Sequence, residues 1–255
     1  MTPDHYLRLR PFLRLFETGL PILLYHKMGK APLFARRKGL FVSRDLLSRQ
    51  LAELTRAGFR FGKLGEPDPG RQIVITFDDG YAGCFEHGMA VLDTFGCKAI
   101  QFLVSGRIGK TNDWDETGEP IMDQSQVRDW LAAGHLIGSH SITHPDLTRL
   151  RERDAREEIM ASRKCLEDSF GVAVSHFSYP FGACDERIVG IVRECGYHTA
   201  VTTEFGINDN ETNTYRLRRI LAYCSLREFL GSMIPFVPNE NFDFLPFFSS
   251  ERWRH

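Results

Sequence analysis

The chain has 255 residues, 42% hydrophobic and 25% charged, and a formal net charge of −1. That length suits one α/β barrel with a sizeable core, the charge leaves no electrostatic footprint for nucleic acid, and no repeat or low-complexity tract is present. Six cysteines, at 84, 97, 165, 184, 195 and 224, form no CxxC pair and read as reduced, mostly buried thiols rather than a disulfide frame.

Residues 1–20 form an N-terminal extension. His5 to Phe16 is apolar-rich, with Arg8, Arg10 and Arg14, and can make a weak contact with an anionic membrane face; packing on the domain is the preferred reading. No uninterrupted apolar stretch resembles a secretory leader or a membrane span, so a cytoplasmic protein is expected. Pro21 to His26 reads as the first strand. Ser43 caps a helix carrying Leu46, Leu47, Leu51 and Leu54, which Gly58 closes. Turn chemistry at 65–70 leads into Ile73-Val74-Ile75-Thr76-Phe77, a buried strand that ends in Asp78-Asp79-Gly80.

A helix over Tyr81 to Phe95 follows, then a strand at 99–104, a polar loop at 111–120 and a helix at 123–133. Strand 136–140 ends on His140. A long charged helix fills 151–170 and Gly171 ends it. Strand 172–179, a helix at 185–195 capped by Asp185, and strands at 198–203 and 215–220 complete the pattern, with a last helix from Ser225 through Met233. Seven strands mostly separated by helices imply parallel pairing. A closed, irregular barrel is preferred to an open doubly wound sheet, because His26, Asp78, Asp79, His140 and Tyr179 all fall at strand C-termini, where barrels build their catalytic rim. The domain runs from 21 to 234, and a Phe/Pro-rich tail (235–255) covers an apolar surface or, through Phe242, Phe244, Phe247 and Phe248, forms a contact; the oligomeric state stays open.

Adjacent carboxylates repel and are costly beside an apolar core unless a cation compensates them. His140 and His144 add two imidazoles, and one carboxylate with two imidazoles is the ligand set of a catalytic zinc site with one open position. The second carboxylate is then free to act as a base. Pro145 keeps His144 out of a regular helix, and no Glu follows His140, so the pattern is not that of a zincin.

With Thr76-Phe77-Asp78-Asp79-Gly80 and His140-Ser141-Ile142-Thr143-His144 as its first two motifs, the sequence resembles the polysaccharide deacetylase family, carbohydrate esterases sharing the NodB-like domain, from about residue 20 to about residue 220. The resemblance implies a distorted (β/α)7-type barrel and a divalent metal, usually zinc. It also implies hydrolysis of an N-acetyl group from an amino sugar in a polysaccharide or glycan precursor. By position, Asp79, His140 and His144 bind the metal and Asp78 is the base. Ser178-Tyr179-Pro180-Phe181-Gly182 aligns with the third motif. Tyr179, Pro180 and Phe181 are its substrate-binding candidates, with the Phe181 N–H facing the developing oxyanion. Ser178 stands where the family often has an arginine that holds the base; Arg218 or Arg219 is the candidate replacement, since strand alternation turns one of them inward.

The family's C-terminal Leu-x-His has no counterpart after residue 203. Leu24-Tyr25-His26 instead resembles a circularly permuted branch acting on exopolysaccharides, which makes His26 the candidate general acid. His135, His176 and His198 read as structural. Trp114, in a polar loop, is the candidate sugar-stacking ring, and Trp130 reads as core. An O-acetyl esterase using the same site, and a glycan-binding domain with decayed catalytic parts, are the alternatives; the intact Asp78, Asp79, His140 and His144 argue against decay. An intracellular location favours a nucleotide- or lipid-linked precursor as substrate over wall polymer.

Overall fold

The computed structural model describes residue 9 and residues 13–65 and 71–222. Of the expected N-terminal amphipathic stretch, residue 9 and residues 13–16 are described, with Leu9 and Phe16 buried; the rest of it, most of the 65–70 turn, the helix after Ser225, Cys224 and the Phe-rich tail lie outside the described residues.

The described residues form ten strands: β1 (Ile22–Tyr25), β2 (Lys27–Met28), β3 (Phe41–Val42), β4 (Arg60–Phe61), β5 (Gln72–Phe77), β6 (Ile100–Leu103), β7 (Leu136–Ser139), β8 (His176–Ser178), β9 (Thr199–Phe205) and β10 (Leu217–Leu221). The helices are α1 (Leu13–Phe16), α2 (Arg44–Arg56), α3 (Met89–Thr94), α4 (Gln124–Ala132), α5 (Glu152–Phe170) and α6 (Glu186–Glu194). Strands β5 to β10 pair in sequence order, and β1 pairs in parallel with both β10 and β5. Those seven strands therefore close into a parallel barrel, as expected, with β4 added outside β5 and β2–β3 a separate pair. All six residues of β5 are buried, and its sequence accordingly reads as a mostly apolar run, with Gln72 and Thr76 the polar members, rather than as an alternation.

Local signals set most boundaries. Ser43 accepts from the Leu46 N–H at 3.2 Å, Asp185 accepts from Ile188 N–H at 2.8 Å, and Asp123 with Gln126 forms a reciprocal capping box. Gly171 ends α5 in the left-handed region, φ 68°. The single helix expected over 81–95 is instead a π turn at Cys84–Gly88 followed by α3. The widened turn lies where Gly83 packs so closely on the Met28 carbonyl that a Cβ would sit 2.4 Å from its oxygen. β8 is shorter than expected because the segment after Gly171 turns back on α5, where the Val174 N–H donates to Glu167 rather than to a strand.

Among the described cysteines none is bonded: Cys84 and Cys97 are buried, Cys184 and Cys195 half-buried, and Cys165 exposed on α5. No described helix is long and apolar enough to cross a membrane.

His135 and His176 are structural. His135 stacks on buried Trp130, ring centroids 4.1 Å apart, and its Nδ1 accepts from the Ala99 N–H at 3.1 Å. An accepting Nδ1 requires the neutral ring, and burial, reinforced by Lys98, pushes the imidazole down to about 4. His176, beside Thr199, is pushed down to about 4 by burial and by His198. Between pH 4 and 6.5 the unfolded chain binds protons at these positions that the folded chain refuses, so stability rises with pH in that window. Thermal midpoints measured across it should climb, each histidine adding at most about 1.4 kcal/mol per pH unit, and His135→Gln should flatten the rise.

Candidate metal centre and active site

The site begins where β5 stops. Asp78 keeps strand pairing, its N–H donating to the Tyr25 carbonyl at 3.0 Å. Asp79 and Gly80 then turn left-handed, φ 73° and 84°. Side chains of successive strand residues diverge; this turn brings both carboxylates to the same end of the barrel. Aspartate tolerates such a backbone better than most residues. Gly80 meets a second demand, because a Cβ there would lie 2.9 Å from Leu103 Cδ2.

Asp79 Oδ1 lies 3.2 Å from His140 Nε2 and 3.3 Å from His144 Nε2. All three side chains are buried, and one ligand atom from each lies within 4.8 Å of the others. His140 leaves β7, and its Nδ1–H donates to the Ser178 carbonyl at 2.7 Å. In its neutral form His140 would aim its Nε2 lone pair at a carboxylate oxygen, as a ligating histidine fixed by its other nitrogen does. Acceptors converging in this way need a proton or a cation between them. The donor set of two imidazoles and one carboxylate fits a divalent metal with an open position. Burial disfavours the Asp79 carboxylate, but the hydrogen bonds to His140 and His144 outweigh it and hold it well below the usual range. Burial likewise opposes a charged His140, yet Asp79 and Asp78 raise it.

The turn bearing both histidines is pinned from α5. Glu158 accepts from the N–H groups of Ile142 and Thr143 at 2.8 and 3.0 Å and from the Thr143 hydroxyl at 2.7 Å. Ser141 Oγ accepts from His144 N–H at 3.0 Å. Ser141 and His144 are left-handed, both at φ 65°. Pro145 excludes a helix here, as the sequence indicates.

Asp78 has its own counter-charge. Arg219, on β10 and 1% exposed, donates from Nη1 to Oδ1 at 2.8 Å and from Nη2 to Oδ2 at 2.7 Å. Ser178 Oγ donates to Oδ2 at 3.1 Å. The guanidinium is steadied by the Thr202 carbonyl, which accepts from Nε at 2.7 Å. Burial alone would raise Asp78, but Arg219 outweighs it and the carboxyl lies below its ordinary value. Of the two arginines offered by the sequence, Arg219 faces the interior and half-buried Arg218 lies 3.8 Å from Glu204. Sequence alternation narrowed the choice to two; only the register of β10 decides it.

His26 follows β1, with Nδ1 buried and unpartnered and its backbone carbonyl held by the Cys84 thiol at 2.9 Å. Burial lowers its proton affinity, Asp79 and Asp78 partly opposing this. Tyr179 is fully buried and its hydroxyl donates to the Tyr215 carbonyl at 2.9 Å. Pro180 is buried, whereas Phe181 is 54% exposed, left-handed at φ 59°, and edge-on to His144 at 4.5 Å. Trp114 stacks on His144, centroids 4.4 Å apart and planes 25° apart. Glu158 carried no signal, being one of many acids on a charged helix.

A family model described as polysaccharide deacetylase matches residues 65–200. The chitooligosaccharide deacetylase of Azorhizobium caulinodans is 36% identical over 125 residues, 49% of this chain and 54% of that protein. The chain spans about half or less of the length of the curated relatives it matches. Among solved structures, the Streptococcus pyogenes deacetylase PplD in complex with acetate superposes with a TM-score of 0.71 at 22% identity, covering 84% of this chain and 98% of that one. IcaB from Ammonifex degensii gives 0.70 at 24% identity, covering 80% and 91%. At such identities the superpositions establish a shared fold.

Removing one member of a buried ion pair strands the other in the interior. Arg219→Met should therefore lower unfolding free energy by about 3–5 kcal/mol, read as a shifted denaturant midpoint. Arg218→Met, at a half-buried site, should shift it by under about 1 kcal/mol.

Proposed function

We infer the activity from a premise the matches establish: the chain belongs to the polysaccharide deacetylase family. We propose that it hydrolyses the N-acetyl group of an amino sugar in a polysaccharide or glycan precursor. The observation that carries this reading is the separation of two neighbouring carboxylates into different electrostatic settings, Asp79 among imidazoles and Asp78 on Arg219.

Asp79, His140 and His144 would hold a divalent cation, zinc by the preference of that donor set, which supplies a Lewis acid for the acyl oxygen and acidifies a water. Asp78 lies beside that point, ionised and oriented by the Arg219 fork, and takes the proton of the attacking water. Asp79, committed to the cation, cannot serve as well. Water oxygen adds to the acyl carbon, the C–N bond breaks, and the amine leaves with a proton. His26 delivers that proton. Burial makes its imidazolium a stronger acid than a free one, the property a donor to a departing amine needs. The Phe181 N–H, presented by a left-handed turn beside His144, is assigned to the acyl oxygen. Tyr179 and Pro180 act from below by shaping that turn, since neither side chain is exposed.

Purified protein should carry one divalent ion per chain by elemental analysis and release acetate from N-acetylhexosamine oligomers, and a chelator should stop it. Asp78→Asn should lose about two to four orders of magnitude in kcat while keeping the ion. Asp79→Asn and His140→Ala should lose the ion itself. An Asp78→Asn protein without metal would refute this division of labour.

A further inference from the structure

Among the described residues one lysine is buried, next to the site. Lys27, on β2 and immediately after His26, is 3% exposed. Its ammonium lies 2.5 Å from Asp115 Oδ2 and 2.7 Å from Thr117 Oγ1. It also sits over the rings of Tyr81 and Phe41, 4.8 and 5.1 Å from their centroids. Asp115 is itself organised: Oδ1 accepts from the Thr117 N–H at 2.8 Å and the Thr117 hydroxyl at 2.6 Å. Lys27 thus closes a three-residue polar knot in the loop spanning 111–120.

That loop carries Trp114. Its base is closed by the Asn112 N–H donating to the Glu119 carbonyl at 3.0 Å, and its outer end by the Arg36 N–H donating to Glu116 at 2.6 Å. Between these ties Trp114 lies on the His144 ring and 6.3 Å from Tyr81. Trp114 and Asp115 are adjacent, so whatever fixes Asp115 fixes the wall over a candidate metal ligand. Burying an ammonium is costly unless it is paired. Here the pairing spans 88 residues and ties the residue that follows His26 to the loop that presents Trp114.

Resting on the deacetylase reading above, we propose that Lys27 is a positioning residue for substrate binding. Its ammonium latches the 111–120 loop in the arrangement that makes Trp114 a wall of the reaction site, against which the apolar face of a sugar ring packs. Lys27 touches neither substrate nor the reacting atoms. Its loss should weaken binding and spare the bond-breaking step.

Two measurements test this. In metal-free protein, backbone hydrogen exchange over 111–120 should quicken in Lys27→Met while α5 stays protected. In steady-state hydrolysis of an N-acetylglucosamine oligomer, KM should rise about tenfold with kcat within about threefold, the mark of lost binding rather than lost chemistry. Asp115→Asn, at a half-buried carboxylate, should give the same pattern more weakly, and carries the test if Lys27→Met does not fold. Unchanged exchange in the loop, or a fall in kcat at constant KM, would overturn the proposal. A wild-type protein that bound metal but released no acetate would overturn the deacetylase reading instead, and the latch would then stand or fall on the exchange data.

Discussion

Two ionised carboxylates occupy consecutive positions at a buried strand end, and that arrangement demands two separate positive partners. Like charges so close drive one of the pair towards protonation unless each is compensated. The protein meets the demand from different directions. Arg219 reaches Asp78 from β10, while Asp79 joins the imidazoles of His140 and His144 from the turn after β7 in a donor set that fits a cation. The backbone contributes by turning left-handed at Asp79. Among the described residues, those with positive φ other than glycine are Asp79, Ser141, His144 and Phe181, and all four belong to this site. Strained conformations persist only where surrounding contacts over-determine them. Here Glu158, Ser141 Oγ and the packing of Gly80 on Leu103 do so.

Closure of the barrel depends on the same groups. β1 comes from the start of the chain and fits between β5 and β10. Thr76 Oγ1 donates to the Leu23 carbonyl at 2.8 Å and accepts from Arg219 Nη1 at 3.2 Å. A polar chain therefore starts at the arginine that holds Asp78 and crosses the seam from β10 through β5 to β1. Residues 26, 78 and 219, far apart in sequence, meet because the seam is there. A barrel left open at this point would separate the candidate acid, the candidate base and the arginine that holds it.

The sequence revealed those parts whose causes are local. The apolar run of β5, the caps at Ser43, Asp123 and Asp185, and the stop at Gly171 are each set by a few neighbouring residues, and they were readable. So was the convergence of one carboxylate with His140 and His144, because adjacent acids at a strand end are hard to explain otherwise; that Asp79 is the one followed from the family resemblance. What was not readable depends on register or on distant packing. The choice between Arg218 and Arg219 turns on how β10 meets β9, where the pairing shifts between Leu217 and Arg219. The π turn at Cys84–Gly88 answers a close approach by Met28, more than fifty residues earlier in the chain. Tyr179 looks like a rim residue, yet its hydroxyl is taken by Tyr215 from an outer loop. Trp114 was expected as a free sugar platform, but one of its faces is already occupied by His144.

Ser178 shows why the missing motif arginine need not leave Asp78 unsupported. An arginine on β8 would have to place its guanidinium where that of Arg219 now lies, 5.9 Å from the Phe102 ring and against both oxygens of Asp78. Two guanidiniums cannot share that buried volume without like-charge repulsion and overpacking. Serine solves both problems. Its short side chain leaves the space open, and its hydroxyl donates to Asp78 Oδ2 while accepting from Arg219 Nη2 at 3.1 Å. Its backbone carbonyl also takes the proton of His140 Nδ1. One small residue therefore touches both halves of the site: it orients the His140 imidazole through its backbone and completes the shell of Asp78 through its side chain. In this chain the charge that compensates Asp78 comes from β10 rather than from β8.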